Sequence, residues 1–299
     1  MNAIECKNIT KTFRAEEKRK SDEVITAIDN VSFAVEEKGI YALLGRNGAG
    51  KTTLLNMLCT KYIPNEGEVL LFGEPAYENE KQLKNICFMS DDMPAFNGFT
   101  VKKILAYAKA FYESFDYELC QRLLQLYGVK EETGYSVLSK GRRTALSIII
   151  GLCSNSRIVL FDEIYSGLDA VARQQFYEIL MEQQEKNPRT YILSTHLIEE
   201  MSGLFTDVII IDGGKLILTS SMEDLRSKTF KCTGRDEAGD ILSGKNILDI
   251  KRMGPMAQYL VYDELLVEDK EKLLYNHVTV EAMTLQELFV AVTSKDMDI

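Results

Sequence analysis

Gly45-Arg46-Asn47-Gly48-Ala49-Gly50-Lys51-Thr52 has the spacing G-x-x-x-x-G-K-[ST]. A glycine-rich turn of this kind aims backbone N–H groups inward at phosphate oxygens, where side chains would block the approach. The helix expected from Lys51 onward turns its positive dipole end toward the same anion. Lys51 is placed to reach the β- and γ-phosphates of a nucleotide, and Thr52 to ligate Mg²⁺. A second block, residues 138–169, reads LSKGRRTALSIIIGLCSNSRIVLFDEIYSGLD. A Ser-x-Gly turn opens an apolar helix there. A branched run then ends in the acids Asp162 and Glu163, and a glycine turn closes on Asp169.

These groups need elements to hold them. Residues 2–9 and 24–35 alternate as half-buried strands do, and the charged stretch 14–23 between them reads as a solvated hairpin loop. Residues 40–44 form a short apolar strand running into the glycine loop, and residues 52–58 a helix leaving it. Further strands are expected at 69–72, 86–89, 158–161, 191–193 and 208–211, several apolar enough to be buried on both faces. Between 101 and 129 the period is helical. Val101, Ile104, Leu105, Ala108 and Phe111 share one face, and Leu119, Leu123, Leu126 and Tyr127 another. Asp212-Gly213-Gly214 makes a tight turn into 215–218. Beyond residue 220 only weak strands at 259–262 and 278–280 and an amphipathic helix near 285–292 stand out.

In order and spacing these motifs resemble the ATP-binding subunit of an ABC transporter over residues 1–220. The signature sequence of that family corresponds to Leu138-Ser139-Lys140-Gly141-Arg142. The Walker B strand corresponds to residues 158–162 followed by Glu163, the D-loop to Ser166-Gly167-Leu168-Asp169, and the switch histidine to His196. The resemblance implies an α/β fold. It comprises a P-loop NTPase core, an N-terminal antiparallel β-subdomain and an inserted α-helical subdomain at about 92–155. Residues 221–299 remain as a C-terminal accessory region, a small α+β extension. The implied cofactors are ATP and Mg²⁺. Thr52 and Asp162 would hold the metal, Glu163 would act as general base, and His196 would contact the γ-phosphate, with Lys51 and Asp162 completing the catalytic set. Nucleotide contacts would come from Gly45, Asn47, Gly48, Ala49, Gly50, Lys51, Thr52, Thr53, Asp169 and His196. Ser139 and Gly141 would serve the nucleotide held by an opposite subunit, so two chains complete each site. Phe13 stands where an aromatic ring often stacks on adenine; packing under the hairpin is the alternative.

Four positions depart from the family pattern. Asp91 stands at the usual glutamine, either as a metal ligand or coupling residue or as a polar loop residue. Lys140 and Arg142 replace a glycine and a glutamine of the signature, which adds positive charge near the partner's nucleotide. Ile164 stands where a proline commonly follows the glutamate. Phe96 and Phe99 suit either a docking surface for a membrane subunit or a local core.

The net charge of −10 argues against a nucleic-acid partner held by phosphate contacts. No apolar run approaches the roughly 18 residues that span a bilayer, and the N-terminus does not read as a signal peptide. Six cysteines without a CxxC pair, and two histidines, make a structural zinc site an unpromising reading. The expectation is a peripheral protein on the cytoplasmic face of the cell membrane. It would work with a transmembrane permease subunit and a second ATP-binding subunit, identical or not, to power export of peptides, antibiotics or lipids. Two other readings are a soluble ABC-type ATPase of DNA repair or translation, and a regulatory nucleotide-binding partner in a heterodimer.

Overall fold

The computed structural model describes residues 1–14, 24–235 and 238–294. The expected hairpin loop therefore lies, apart from Arg14, outside the described residues. The chain divides into two compact units, Met1–His196 with Ile211–Leu216, and Leu197–Ile210 with Ile217–Ile299. Among the described residues no helix is long and apolar enough to cross a membrane.

The first unit begins with strands β1 (Asn2–Arg14), β2 (Val24–Glu36) and β3 (Ile40–Leu44), then helix α1 (Lys51–Leu58). Strands β4 (Glu66–Leu71) and β5 (Glu74–Pro75), a short helix α2 (Glu80–Leu83) and strand β6 (Ile86–Ser90) follow. Three helices come next, α3 (Val101–Phe111), α4 (Tyr117–Leu126) and α5 (Lys140–Cys153). Strand β7 (Ile158–Asp162), helix α6 (Ala170–Lys186) and strand β8 (Thr190–Ser194) close the run. An antiparallel sheet has the order β2-β1-β4-β5, and a parallel sheet runs β3-β8-β7-β6. Every residue of β3, β7 and β8 is buried, as strands covered on both faces require. The mixed α/β architecture is the one expected.

The parallel register matters most for chemistry. Ser90 pairs with Asp162, Asp162 with Ser194, and Ser194 with Leu43. The carboxyl ends of four neighbouring strands therefore finish together, where ligands bind in open α/β sheets.

Helix α5 is buried from Thr144 through Cys153 without a polar face, as a central helix should be. Gly151 allows it to lie on the sheet, since a Cβ there would come within 2.4 Å of the Phe161 ring. Phe161 cannot easily yield, being fully buried against Phe176 and Tyr191. Gly151→Ala is expected to lower unfolding stability by about 1–3 kcal/mol, read as a shift of the urea midpoint at constant slope.

Two helical positions differ from expectation. Phe111 is 52% exposed and Leu126 44% exposed, while Cys120 and Leu124 are buried on α4. Both misplaced residues are the last of their helices, where the apolar stripe has already turned away from the core. The six cysteines are free, and five of them are buried. Burial pushes the Cys87 and Cys232 thiols up to about 11.

Strands β9 (Asp207–Asp212) and β10 (Lys215–Ser221) carry residues of both units, with α7 (Ile198–Met201) before them. After them come α8 (Met222–Lys228), β11 (Thr229–Arg235), α9 (Ala238–Ile241), β12 (Ile247–Met253) and β13 (Met256–Tyr262). Helix α10 (Val267–Tyr275), strand β14 (Thr279–Ala282) and helix α11 (Leu285–Thr293) end the described chain. An antiparallel sheet, β12-β13-β11-β14, packs Phe230, Cys232, Tyr259 and Val261 against Leu273 of α10. Two of its four strands, β11 and β12, were not anticipated. The first includes Gly234, a residue that composition does not mark as strand, and no residue of the second is fully buried.

Candidate functional site

The glycine loop, residues 45–50, joins β3 to α1. Gly48 and Gly50 have φ of 81° and 104°, which side-chain-bearing residues rarely adopt. Gly50 also lies so close to β2 that a Cβ would stand 2.6 Å from the Ala27 carbonyl oxygen. Gly214, from the turn after β9, donates its N–H to the Ala49 carbonyl at 3.1 Å, and its carbonyl accepts from Asp29 N–H at 2.9 Å. The loop is thus fastened from outside. Gly50 ends in the left-handed region as N-cap of α1 and brings no side-chain cap. The first N–H groups of α1, on Lys51, Thr52 and Thr53, are the ones an α-helix leaves without intrahelical partners.

Lys51 is 7% exposed and folds back over the loop, donating to the carbonyls of Gly45 at 2.8 Å and Arg46 at 3.3 Å. Thr52 Oγ1 donates to Asp162 Oδ2 at 2.8 Å. The other oxygen, Asp162 Oδ1, accepts from Ser194 Oγ at 2.6 Å. Ser194 is fully buried, and its Oγ in turn accepts the backbone N–H of Glu163 at 3.1 Å. One serine hydroxyl thus joins the two acids.

Glu163 has φ 49°, an unusual backbone for a glutamate. Its carboxylate lies 3.9 Å from Lys51 Nζ through Oε1 and 4.0 Å from His196 Nδ1 through Oε2. The turn off β7 therefore sends the side chain back between the lysine and the histidine. Tyr165, also fully buried, donates its hydroxyl to the Ser194 carbonyl and sets its ring edge toward His196, 5.9 Å between centroids. Burial holds the Tyr165 phenol well above its ordinary range, so it stays protonated as a donor. Ser194 and Tyr165 were not singled out in the sequence. The available signal was a serine closing the otherwise apolar run of β8, in register with Asp162.

A phosphate-bearing nucleotide and Mg²⁺ fit what is present. The loop supplies positive-φ glycines, an uncapped helix start and a buried lysine. Thr52 and Asp162 supply hard oxygen donors, and Mg²⁺ takes few protein ligands, leaving the rest to phosphate and water. Among the described residues no group of three or more His, Cys, Asp or Glu side chains converges on a metal position.

Other expected site residues lie elsewhere. Ser139 caps α5, its Oγ accepting from Arg142 N–H at 3.4 Å. Gly141 is pressed against the turn between β7 and α6, where its Cβ would be 2.9 Å from the Gly167 carbonyl oxygen. Asp169 caps α6 through Ala172 N–H at 2.9 Å. Phe13 meets Tyr62 edge-on at 5.4 Å, with Lys11 Nζ over its ring at the same distance. Asp91 is engaged by Lys140 and Ser166 rather than by the Thr52–Asp162 pair. Beside α3 an apolar groove of about 290 Å³ is lined by Met93, Phe96, Phe99, Tyr107 and Phe111 among others.

Residues 28–166 match the family model described as ABC transporter. The ABC transporter ATP-binding protein NatA of Bacillus subtilis (strain 168) is 29% identical over 219 residues, 71% of this chain and 87% of that one. YtrB, an ABC transporter ATP-binding protein of the same organism, is 24% identical over 204 residues, 68% of this chain and 70% of that one. A dimeric ATP-binding cassette, in a post-hydrolysis state bound to ADP and Pi, aligns with a TM-score of 0.62. It is 22% identical and covers 73% of this chain and 98% of its own.

Proposed function

We propose that this chain, whose residues 28–166 match the ABC transporter family model, powers an exporter as its nucleotide-hydrolysing subunit. Two such subunits would close on ATP and reopen after hydrolysis. The observation that carries the nucleotide-hydrolysing role is the convergence of Lys51, Thr52, Asp162 and Glu163 at the carboxyl ends of the parallel strands, with Ser194 tying the two acids together.

The geometry supports a role for each residue. Lys51 and the N–H groups of the loop and first turn of α1 hold the phosphates. Thr52 Oγ1 and Asp162 Oδ2 would hold Mg²⁺, which when bound neutralises charge on the phosphate oxygens. Glu163 accepts the proton of the attacking water, and its position between Lys51 and His196 orients the carboxylate for that task. His196 stands over the same space to contact the terminal phosphate. Phe13, already bracing Tyr62, offers a ring to the adenine. Ser139, Gly141 and Asp169 face the second subunit, identical or not, and serve its nucleotide.

The groove at Phe96 and Phe99 supports a transmembrane permease subunit as partner. Its exposed rings, Tyr107 and Phe111 at 54% and 52%, are suited to receive an apolar segment. That partner would keep this chain at the cytoplasmic face of the membrane, peripheral to it. Peptides, antibiotics and lipids are the substrates the reading favours.

The test co-expresses the chain with a candidate multi-span membrane protein and reconstitutes the two in lipid vesicles. The two are expected to co-purify, and ATP supplied on the side bearing this chain is expected to drive amphiphilic peptide or lipid to the other side. Phe96→Glu is expected to reduce co-purification while leaving ATP binding intact. Co-purification indifferent to Phe96→Glu would remove the groove as the docking site, and transport toward the ATP side would remove the exporter reading.

A further inference from the structure

Asp91 and Lys140, two of the positions at which this chain departs from the family pattern, face each other. Lys140 Nζ lies 3.3 Å from Asp91 Oδ2, and the same oxygen accepts from Ser166 Oγ at 3.2 Å. Three segments meet there: the loop leaving β6, the start of α5, and the turn following β7.

A second contact runs parallel to the first. Asp92 Oδ1 lies 3.5 Å from Arg143 Nη1 and accepts from the Tyr135 hydroxyl at 3.2 Å. Tyr135, fully buried, accepts in turn from Met93 N–H at 2.8 Å. Lys140 and Arg143 are three residues apart on one helix, so both reach the same neighbouring loop. The backbones are as close as the charges. A Cβ on Gly141 would come within 2.9 Å of the Gly167 carbonyl oxygen, and one on Gly167 within 2.6 Å of Thr144 Oγ1.

Electrostatics explains why an acid is needed at 91. The first turn of α5 carries Lys140, Arg142 and Arg143 and no acidic residue. Cations at a helix N-terminus oppose the macrodipole. Asp91 and Asp92 provide the counter-charge from outside the helix. A glutamine at 91 would leave Lys140 beside the dipole uncompensated.

We propose that Asp91 and Lys140 are a positioning pair that, with Ser166, sets the start of α5 against the Ser166–Gly167 turn, and so fixes where Ser139 and Gly141 present their donors. This rests on the ATPase reading above for its functional meaning. The pair is not a stability device. The Lys140 and Asp91 side chains are 64% and 32% exposed, and ion pairs of that exposure contribute little to folding. Its effect lies in geometry, where sub-ångström placement governs rate.

The test compares Asp91→Asn, Lys140→Met, the double variant and the swapped Asp91→Lys/Lys140→Asp protein. Each single change is expected to lower kcat roughly tenfold with KM for MgATP and the thermal midpoint unchanged. The double variant should fall no further than either single, and the swap and Lys140→Arg should recover most of the rate, because the two positions act as one. Hydrogen exchange provides a readout independent of turnover. Either single change is expected to speed exchange in 138–144 and 163–169 together. Independent, multiplying losses would overturn the pair. So would unchanged exchange, or a rise in the Mg²⁺ requirement of Asp91→Asn alone. A wild-type protein that hydrolyses no ATP with its membrane partner would instead defeat the ATPase reading, and exchange would still decide the pair.

Discussion

Glu163→Gln is expected to bind ATP as tightly as the wild type and to hydrolyse it at least about 100-fold more slowly. The amide has the shape of the carboxylate and keeps its place between Lys51 and His196. What it loses is the ability to take a proton from water. The nucleotide-loaded, closed pair of subunits should therefore accumulate, because the step that reopens it is blocked. Single-turnover phosphate release measures the first effect, and light scattering after size-exclusion chromatography in ATP measures the second. Hydrolysis at the wild-type rate would remove Glu163 from the role of base and require another group within reach of the terminal phosphate.

Ser194→Ala is expected to damage both stability and rate. Its hydroxyl donates to Asp162 Oδ1 at 2.6 Å and accepts from Glu163 N–H at 3.1 Å, and the site is fully buried. Alanine fills the space but leaves a carboxylate oxygen and a backbone donor unpaired. Unsatisfied buried groups cost about 1–3 kcal/mol. The urea midpoint should move by that amount at constant slope. Asp162 would also lose the restraint opposite Thr52, and Glu163 its anchor, so kcat should fall roughly tenfold beyond what unfolding explains. If both the midpoint and kcat are retained, the serine is a bystander and the two acids are held by the strand register alone.

Lys51, Thr52 and Asp162 were legible because each lies in a short string whose residue types are dictated by one task. Glycines admit phosphate, a lysine follows them, and an acid ends an apolar strand. Their convergence follows from the register that ends β3, β8 and β7 together, and Thr52 meets Asp162 at 2.8 Å. Ser194 was harder to find. Serine is common, and its importance arises from the register that sets it beside Asp162.

The Asp91–Lys140 contact was hidden for a different reason. Each residue looked like a separate departure, 49 positions apart in the chain, and only the folded loop shows one answering the other. In the C-terminal unit the burial of β11 alternates, but its residue types do not announce it. In β11 the buried residues are Phe230, Cys232 and Gly234 besides Thr229. A cysteine and a glycine do not mark a strand by composition.

Glu163 holds a left-handed backbone that few glutamates adopt. At φ 49° the residue occupies a region where strain is of the order of 1–3 kcal/mol, and glycine would occupy it freely. That relief exceeds the roughly 0.5–1 kcal/mol that glycine costs in lost backbone entropy. A lineage selected for thermal endurance alone would drift toward glycine at this position and lose the carboxylate with it. Durability and the proposed proton transfer would thus compete at this one residue.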